Sequence, residues 1–130
     1  MDERILYVLA HDGAELLGMW IFYPESPIMM KVHTCLLPCS YGERAKIAAK
    51  EMAVWFWANT QAERLVTDVP EFNRLARKFA EAAGMKQFGI NPKSFKRDGK
   101  LWDVIMLGMS RPVVSRGVPI PEVLHRQSGL

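Results

Sequence analysis

Apolar and polar positions alternate through the first third of the chain in the way that is typical of β-strands. Apolar, β-compatible stretches cover Ile5–Ala10, Leu16–Tyr23 and Ile28–Leu37. Asp12-Gly13 separates the first two stretches and is a strong signal for a hairpin turn, while prolines stop the second and third. Short links between consecutive strands predict an antiparallel meander.

The period then changes from two residues to that of a helix. Ser40 and Glu43 fit the S-x-x-E capping box, in which each side chain accepts a hydrogen bond from the other's free backbone amide. The helix that follows buries one face and ends at Asn59-Thr60; its apolar face consists of Ala45, Ala48, Ala49, Met52 and Phe56. The neighbouring Trp55 and Trp57 are expected to pack in the core as well.

The second half of the chain alternates strand, helix and hairpin. Arg64–Val69 is predicted to be a strand and Glu71–Ala83 a helix, with Gly84 as a left-handed C-cap. Two further strands lie near Met85–Ile90 and Leu101–Met109. The order β-β-β-α-β-α-β-β predicts an α/β fold with a mixed, mostly antiparallel twisted sheet. One βαβ crossover makes the strands that end at Leu37 and Val69 parallel neighbours.

Composition narrows the class of protein. The chain has 130 residues, 49% hydrophobic and 24% charged, with a net charge of +3. That size suits one globular domain. No apolar run approaches the roughly 18 residues of a membrane span, and the N-terminus does not resemble a signal peptide. Two cysteines provide no disulfide framework. We therefore expect a cytoplasmic protein that does not enter a membrane.

Other residue clusters carry weaker signals. His33, Cys35 and Cys39 have a spacing that falls short of a zinc site, which needs about four ligands, and no catalytic partner for a cysteine nucleophile is evident. We predict neither a metal site nor a catalytic residue. A basic cluster brings no nucleic-acid motif with it, so nucleic acid is an unlikely partner; the cluster consists of Arg74, Arg77, Lys78, Lys86, Lys93, Lys96, Arg97 and Lys100.

One segment resembles a known family. The residues N-R-L-A-R-K-F-A-E-A-A-G-M, from Asn73 to Met85, resemble the C-terminal half of the GNAT superfamily of acyl-CoA N-acyltransferases. Members often read N-x-x-A-x-x-x-Y-x-x-x-G-F there, followed by a hairpin. Ala80 stands where the family has its frequent general-acid Tyr. The resemblance implies that the first strand and two helices of the full fold are missing, as in the small GNAT-like proteins of tailed phages.

The resemblance also implies where acetyl-CoA would lie. In the family, acetyl-CoA runs along the strand that precedes a helix, and here that strand end is Leu36 and Leu37, before the helix that follows Ser40. The pyrophosphate binds backbone amides at the start of that helix. The corresponding residues are Tyr41, Gly42, Glu43, Arg44 and Ala45, with Asn73 on the next helix. A carboxylate in the first helical turn repels phosphate, which makes Glu43 an obstacle. We therefore predict that the site holds no cofactor, with acetyl-CoA as the alternative.

The last twenty residues differ in kind from residues 1–110, which form the predicted domain. Residues 111–130 contain three prolines and cannot form one helix. They carry six aliphatic side chains that we expect to contact a partner or the protein's own domain: Val113, Val114, Val118, Ile120, Val123 and Leu124. A protein partner or a homo-oligomer through this tail is expected. These features favour a non-enzymatic interaction or assembly component, located in a virion if phage-encoded. The alternative is a small N-acetyltransferase.

Overall fold

The computed structural model describes residues 5–113. Six strands, two helices and a short 3-10 turn (Pro38–Ser40) follow one another along the chain. Their bounds are β1 (Leu6–Asp12), β2 (Glu15–Ser26), β3 (Met29–Leu36), α1 (Glu43–Asn59), β4 (Arg64–Pro70), α2 (Arg74–Ala83), β5 (Lys86–Arg97) and β6 (Lys100–Ser110). The predicted order of strands and helices is confirmed. The division at residue 110 stays a prediction.

The six strands form one sheet in the order β1-β2-β3-β4-β6-β5. Neighbouring strands are antiparallel except β3 and β4, which run parallel because α1 connects them. The predicted parallel pair is therefore confirmed, within a sheet that is otherwise antiparallel. The last described strand, β6, lies between β4 and β5.

Both helices cover the same face of the sheet. α1 and α2 contact each other and the main hydrophobic core. On β2, Trp20 and Phe22 point to the helices and are buried, and the ring of Phe22 stacks on that of Phe56 with centroids 5.1 Å apart. Phe56 and Trp57 are buried, as predicted. We call this side the helix face. The other side, the open face, carries no helix among residues 5–113.

The hairpin of β5 and β6 is longer than the sequence pattern indicates. β5 continues from Lys86 to Arg97, whereas the pattern ends it at Ile90. The pairing of β5 with β6 is irregular between Asn91 and Phe95. This irregularity accommodates Pro92, which cannot donate to a sheet and whose presence marks a strand end in the sequence.

The start of α1 corrects the predicted capping box. Ser40 lies within the 3-10 turn and is buried, and its hydroxyl donates to the carbonyl of Leu37 at 2.7 Å. The N-cap residue is Gly42, with φ of 98°, and no side chain caps the helix. Ser40 is too early in the chain to act as a cap because Pro38 starts a separate turn first. Glu43 is the first residue of α1 and is exposed.

The start of α2 has the side-chain cap that α1 lacks. The side-chain oxygen of Asn73 accepts a hydrogen bond from the backbone amide of Ala76 at 3.1 Å. Gly84 ends the helix in the left-handed conformation, φ of 111°, as predicted. The helix begins at Arg74 rather than at Glu71, because the chain first turns through the hydrogen bond from the Asn73 amide to the carbonyl of Pro70.

The two helix starts predict losses of stability of different size when the residue is replaced by alanine. Asn73→Ala should lower the free energy of unfolding by about 0.5–2 kcal/mol, since it removes a cap. Glu43→Ala removes no cap and leaves only a weak interaction with the helix dipole, so its effect should stay below about 0.5 kcal/mol. Urea titrations of both variants measure the difference. An equal loss in the two variants would contradict these helix starts.

Gly18 lets β2 and β3 approach closely, which predicts a packing-sensitive site. A Cβ at this position would collide with the carbonyl oxygen of Cys35 and lie 2.7 Å from Cα of Leu36. Both are backbone atoms that cannot move alone, so Gly18→Ala should destabilise the protein by about 1–3 kcal/mol.

Gly89 provides the matched control in another strand. A Cβ there would meet only the terminal methyl of Met106 at 2.7 Å, which can rotate away. Gly89→Ala should therefore change the stability by no more than about 0.5 kcal/mol. Urea unfolding at one pH compares the two; similar costs would mean that the backbone contact at Gly18 is not the determinant.

Candidate functional site

The parallel strands β3 and β4 pair only at their beginnings. Their register covers Met29–Lys31 opposite Arg64–Val66 and then stops. Each strand nevertheless continues beside its outer neighbour, β3 beside β2 as far as Leu36 and β4 beside β6 as far as Pro70. The two strands therefore diverge and leave a cleft in the middle of the sheet.

One hydrogen bond marks the point where the strands separate. The hydroxyl of Thr67 donates to the carbonyl of Val32 at 2.9 Å and is buried. A side chain thus takes the place of the backbone partner that β4 no longer offers to β3. Beyond this bond, the inner edges of both strands turn to the cleft.

The cleft has a volume of about 110 Å³. Thr34 and Leu36 of β3 line one wall, and Asp68 and Pro70 of β4 line the other. Small side chains of the helices keep its floor open, namely Ala49, Ala76, Ala80 and Ala83. Ala80, at the position where the resemblance implies a tyrosine, therefore lies in the cleft, where it provides space and no hydroxyl.

The start of α1 lies at one end of this cleft. The ring of Tyr41 is 6.1 Å from the ring of Phe79, which lines the cleft. The first backbone hydrogen bond of α1 runs from the amide of Lys46 to the carbonyl of Gly42. The three amides between them, those of residues 43–45, belong to the free end of the helix and can donate to an external acceptor.

Gly42 leaves the approach to these amides open. Its φ of 98° lies in the region that favours glycine, and a Cβ added there would meet no atom within 4 Å. The space in front of the amides is therefore accessible. A free helix end with accessible amides attracts anions.

Arg44 does not lie at this anion-attracting end. Its guanidinium donates to the carboxylates of Glu15 at 2.7 Å and Asp12 at 3.2 Å, on the β1–β2 hairpin. The hydrogen bond from Arg44 lowers the pKa of Glu15, and the same bond raises the pKa of Arg44. The positive charge of Arg44 is thus bound to two carboxylates and is not directed at Glu43 or at the free amides.

The other predicted cofactor residues differ in what they can offer to a ligand. Leu36 and Asn73 line the cleft, and Tyr41, Gly42 and Glu43 lie at its α1 end. Ala45 is fully buried, so only its backbone is available. Leu37 is committed through its backbone, because its amide donates to the carbonyl of Leu17 at 2.8 Å and its carbonyl accepts from Ser40.

The structure adds cleft residues that the sequence pattern does not reveal. His33, Thr34 and Asp68 line the cleft, and Asp68 accepts a hydrogen bond from Nζ of Lys31 at 2.7 Å. This bond raises the pKa of Lys31. The signal that could identify them is the parallel crossover, since ligands bind beyond the carboxyl ends of strands at such points.

The cysteines and histidines show no shared site. Cys35 and Cys39 are exposed free thiols, and Sγ of Cys39 contacts the carbonyl of Leu16 at 3.7 Å. Within residues 5–113, no three His, Cys, Asp or Glu side chains come together as metal ligands. In the same residues, neither helix is long and apolar enough to span a membrane.

The tail residues lie almost entirely outside the described part of the chain. Val113 is described and is 94% exposed. Val114, Val118, Ile120, Val123 and Leu124 fall beyond it, so a partner or oligomer through the tail stays a prediction.

Solved structures with the same fold include N-acetyltransferases. No protein-family model matches the chain, and no curated protein sequence does. A spermidine N-acetyltransferase from Vibrio cholerae, in complex with CoA and spermine, aligns with a TM-score of 0.72 at 15% identity, over 82% of this chain and 66% of its own. A GNAT-family acetyltransferase from Bacillus anthracis aligns with a TM-score of 0.65 at 16% identity, over 74% of this chain and 59% of its own.

These comparisons correct one prediction and leave another open. The prediction of a site without a cofactor is wrong on this comparison, because a protein of the same fold has been solved with CoA. Similarity to phage proteins stays a prediction. The chain spans about two thirds or less of the length of these two neighbours. At such identities the likeness establishes the fold alone: residues 5–113 adopt the fold of the GNAT acetyltransferases.

Proposed function

We propose that this protein binds acetyl-CoA in the cleft between β3 and β4 and transfers the acetyl group to an amine. The observation that carries the proposal is the divergence of the two parallel strands after Lys31 and Val66, which opens the cleft toward the free end of α1. The complex of the Vibrio cholerae enzyme with CoA and spermine supports it.

The cleft fits an extended ligand that contains amides. The inner edges of β3 and β4 carry backbone donors and acceptors that the partner strand no longer satisfies, as at the edge of any sheet. An extended chain with amide groups can pair with such an edge like an added strand. The pantetheine arm of CoA is a chain of this kind, and the alanines on the helix side leave room for it.

The phosphates of the ligand would bind at the start of α1. Accessible amides and the helix dipole attract an anion there, and Gly42 leaves the approach open. Glu43 opposes this binding, and Arg44 is held by Glu15 and Asp12. We therefore expect the backbone amides, rather than an arginine, to provide most of the binding to phosphate.

Two titratable side chains of the cleft suit the acceptor. When bound, acetyl-CoA supplies an acyl group activated as a thioester. Asp68 already holds Nζ of Lys31 with one carboxylate oxygen, and its other oxygen can accept a hydrogen bond from an ammonium group. The imidazole of His33 lies on the open-face side of the cleft by strand alternation, and there it can accept the proton that the amine loses as its nitrogen bonds to the acyl carbon and the carbon–sulfur bond breaks. Both residues line the cleft. No tyrosine hydroxyl is available at Ala80, so the thiolate of CoA would leave without protonation from that position.

A non-enzymatic interaction or assembly component is the second candidate. Ala80 favours it, because the family's usual acid is replaced by a methyl group in the cleft. The exposed start of the tail at Val113 favours it as well. This candidate retains CoA binding and differs from the first only in lacking transfer to any amine.

Blocking the cleft provides the test of binding. Thr34→Phe places a ring in a space of about 110 Å³ and should raise the Kd for acetyl-CoA at least tenfold, about 1.4 kcal/mol of binding free energy. Cys35→Phe is the matched control, because the next side chain of β3 points to the other face, and it should change the Kd less than about twofold. Isothermal titration calorimetry measures both.

Turnover separates the two candidates. CoA release from acetyl-CoA is followed by chromatography over a panel of primary amines. His33→Gln should lower kcat by about 100-fold and leave the Kd for acetyl-CoA unchanged, whereas Asp68→Asn should raise KM for the amine. Binding without turnover of any amine selects the interaction component. An equal loss of acetyl-CoA binding in Thr34→Phe and Cys35→Phe, or no binding to the unmodified protein, rejects the cleft as the site.

A further inference from the structure

The excess positive charge of the chain is concentrated at the end of the hairpin that β5 and β6 form. We call residues 93–100 the hairpin end; it contains one carboxylate, Asp98, and four cationic side chains: Lys93, Lys96, Arg97 and Lys100. The resulting charge of +3 equals the net charge of the whole chain, so the other residues are neutral in sum. A local accumulation of one sign of charge attracts ligands of the opposite sign.

Two of these cations lie directly opposite each other on one face of the sheet. Arg97 pairs with Lys100, two positions beyond the pair of Phe95 and Trp102, so all four side chains share a face. Like charges in directly opposite positions destabilise a sheet. Asp98 lies 3.8 Å from Nε of Arg97, but its side chain is 92% exposed, and such an exposed ion pair contributes little. An anion between the two cations would relieve their repulsion.

This face is the open face, to which Asp68 of the cleft also points. Val69 packs in the core beneath the helices, so the side chain of Asp68, one residue before it, points to the opposite side of β4. Asp68 lies opposite Met106 of β6, and Trp102 shares the face of Met106 because the two are four residues apart. Asp68 and the opposed cations of the hairpin end therefore lie on one side of the sheet.

The pairing of β4 with β6 continues from the cleft towards the hairpin end. The amide of Glu71 donates to the carbonyl of Asp103 at 3.0 Å. This bond places Phe72 opposite Trp102, and their ring centroids are 5.0 Å apart. Phe72 is four residues beyond Asp68, so the two rings lie about 13 Å from the carboxylate along the strand.

Both cations extend back over these rings towards the cleft. The guanidinium of Arg97 lies 4.7 Å from the ring centroid of Phe72, and Nζ of Lys100 lies 4.0 Å from that of Trp102. Both rings are closer to Asp68 along the sheet than the residues that carry the charges. The two positive charges therefore lie at the same distance from the carboxylate as the rings, about 13 Å.

The surface between the carboxylate and the cations is apolar. Pro70 and Val104 form the pair that lies between the row of Asp68 and the row of Trp102, and both are half-buried. The open face thus presents, in one line, a carboxylate at the cleft, an apolar middle and two cations. A ligand that matches this line carries a positive charge, an apolar middle and a negative charge in the same order.

We propose that the amine acceptor is an elongated molecule with an anionic group at its far end, bound across the open face. Its ammonium group binds at Asp68, its apolar middle lies over Pro70 and Val104, and its carboxylate or phosphate binds between Arg97 and Lys100. This inference rests on the proposed acetyl transfer and adds the class of the acceptor. A peptide with a free N-terminus and an acidic fourth residue has this chemistry, because four extended residues span about 13 Å.

Other ligands fit this line of charges less well. A polyamine would place an ammonium group against Arg97 and Lys100, and like charges repel. The phosphates of CoA would bind on the other side of the sheet, since the free amides at the start of α1 lie on the helix face. The hairpin end is therefore placed to select the acceptor rather than to hold the cofactor.

Three peptides with a single amine each test the proposal on the unmodified protein. They are the C-terminal amides of A-L-L-E, A-L-L-R and A-L-L-S with a phosphorylated serine, and they differ only at the fourth residue. CoA release from acetyl-CoA gives kcat/KM for each peptide. The glutamate and phosphoserine peptides should each exceed the arginine peptide at least about tenfold. Their order identifies carboxylate or phosphate as the preferred anionic group.

Three variants assign the preference to the open face. Arg97→Gln and Lys100→Gln should each lower kcat/KM for the glutamate peptide about fivefold and should not lower it for the arginine peptide. Lys96→Gln is the matched control, because Lys96 pairs with Leu101 and lies on the other face of the same hairpin end. It should change either value less than about twofold. All three variants should retain the Kd for acetyl-CoA.

Peptide binding, measured by calorimetry without acetyl-CoA, separates this inference from the proposed function. Tighter binding of the glutamate peptide without turnover rejects the acetyl transfer and supports a surface for an amine with an anionic end. Turnover with equal kcat/KM for the glutamate and arginine peptides overturns the inference and leaves the transfer in place. No binding of either peptide, or a raised Kd for acetyl-CoA in Arg97→Gln and Lys100→Gln, overturns the inference as well.

Discussion

The loss of pairing between β3 and β4 is the constraint on which the rest of the structure depends. Each strand is held to its outer neighbour for its whole length, while the inner pairing ends at Lys31 and Val66. The buried bond from Thr67 to the carbonyl of Val32 satisfies one backbone acceptor at the point of separation. A buried acceptor without a partner costs free energy. The hydroxyl of Thr67 avoids this cost at the point where the two strands separate.

Much of the fold follows from local sequence. Several signals act through interactions within a few residues: the alternation in the first strands, the helical spacing after Ser40, and Gly84 after α2. The order of strands and helices can therefore be predicted from the sequence. The parallel placement of β3 and β4 follows from the handedness of a βαβ crossover and needs no detailed contact. The long β5 escapes notice because its register irregularities accommodate a residue that normally ends a strand.

The candidate site is harder to predict from the sequence, because the residues that determine its contacts lie far apart in the chain. Arg44 looks like a phosphate ligand from its position, yet two carboxylates about thirty residues earlier hold its side chain. Ser40 fits a capping motif, yet the turn begun by Pro38 uses its hydroxyl locally. His33 and Asp68 carry no motif; only the divergence of their strands brings them to one cleft. Patterns of residue type fix the elements, whereas competition among partners decides what each polar side chain contacts.

The interior position of β6 has a consequence for how the protein is made. β6 is the last described strand in chain order, yet it fills the place between β4 and β5. Until it has left the ribosome, the buried residues Leu65, Val66 and Val69 of β4 have no neighbour on that side. The nascent chain therefore carries an apolar strand with one open edge from the synthesis of β4 until that of β6, a state prone to aggregation. The sheet of this domain is complete only when residues near 110 emerge, so the domain cannot finish folding strand by strand in chain order.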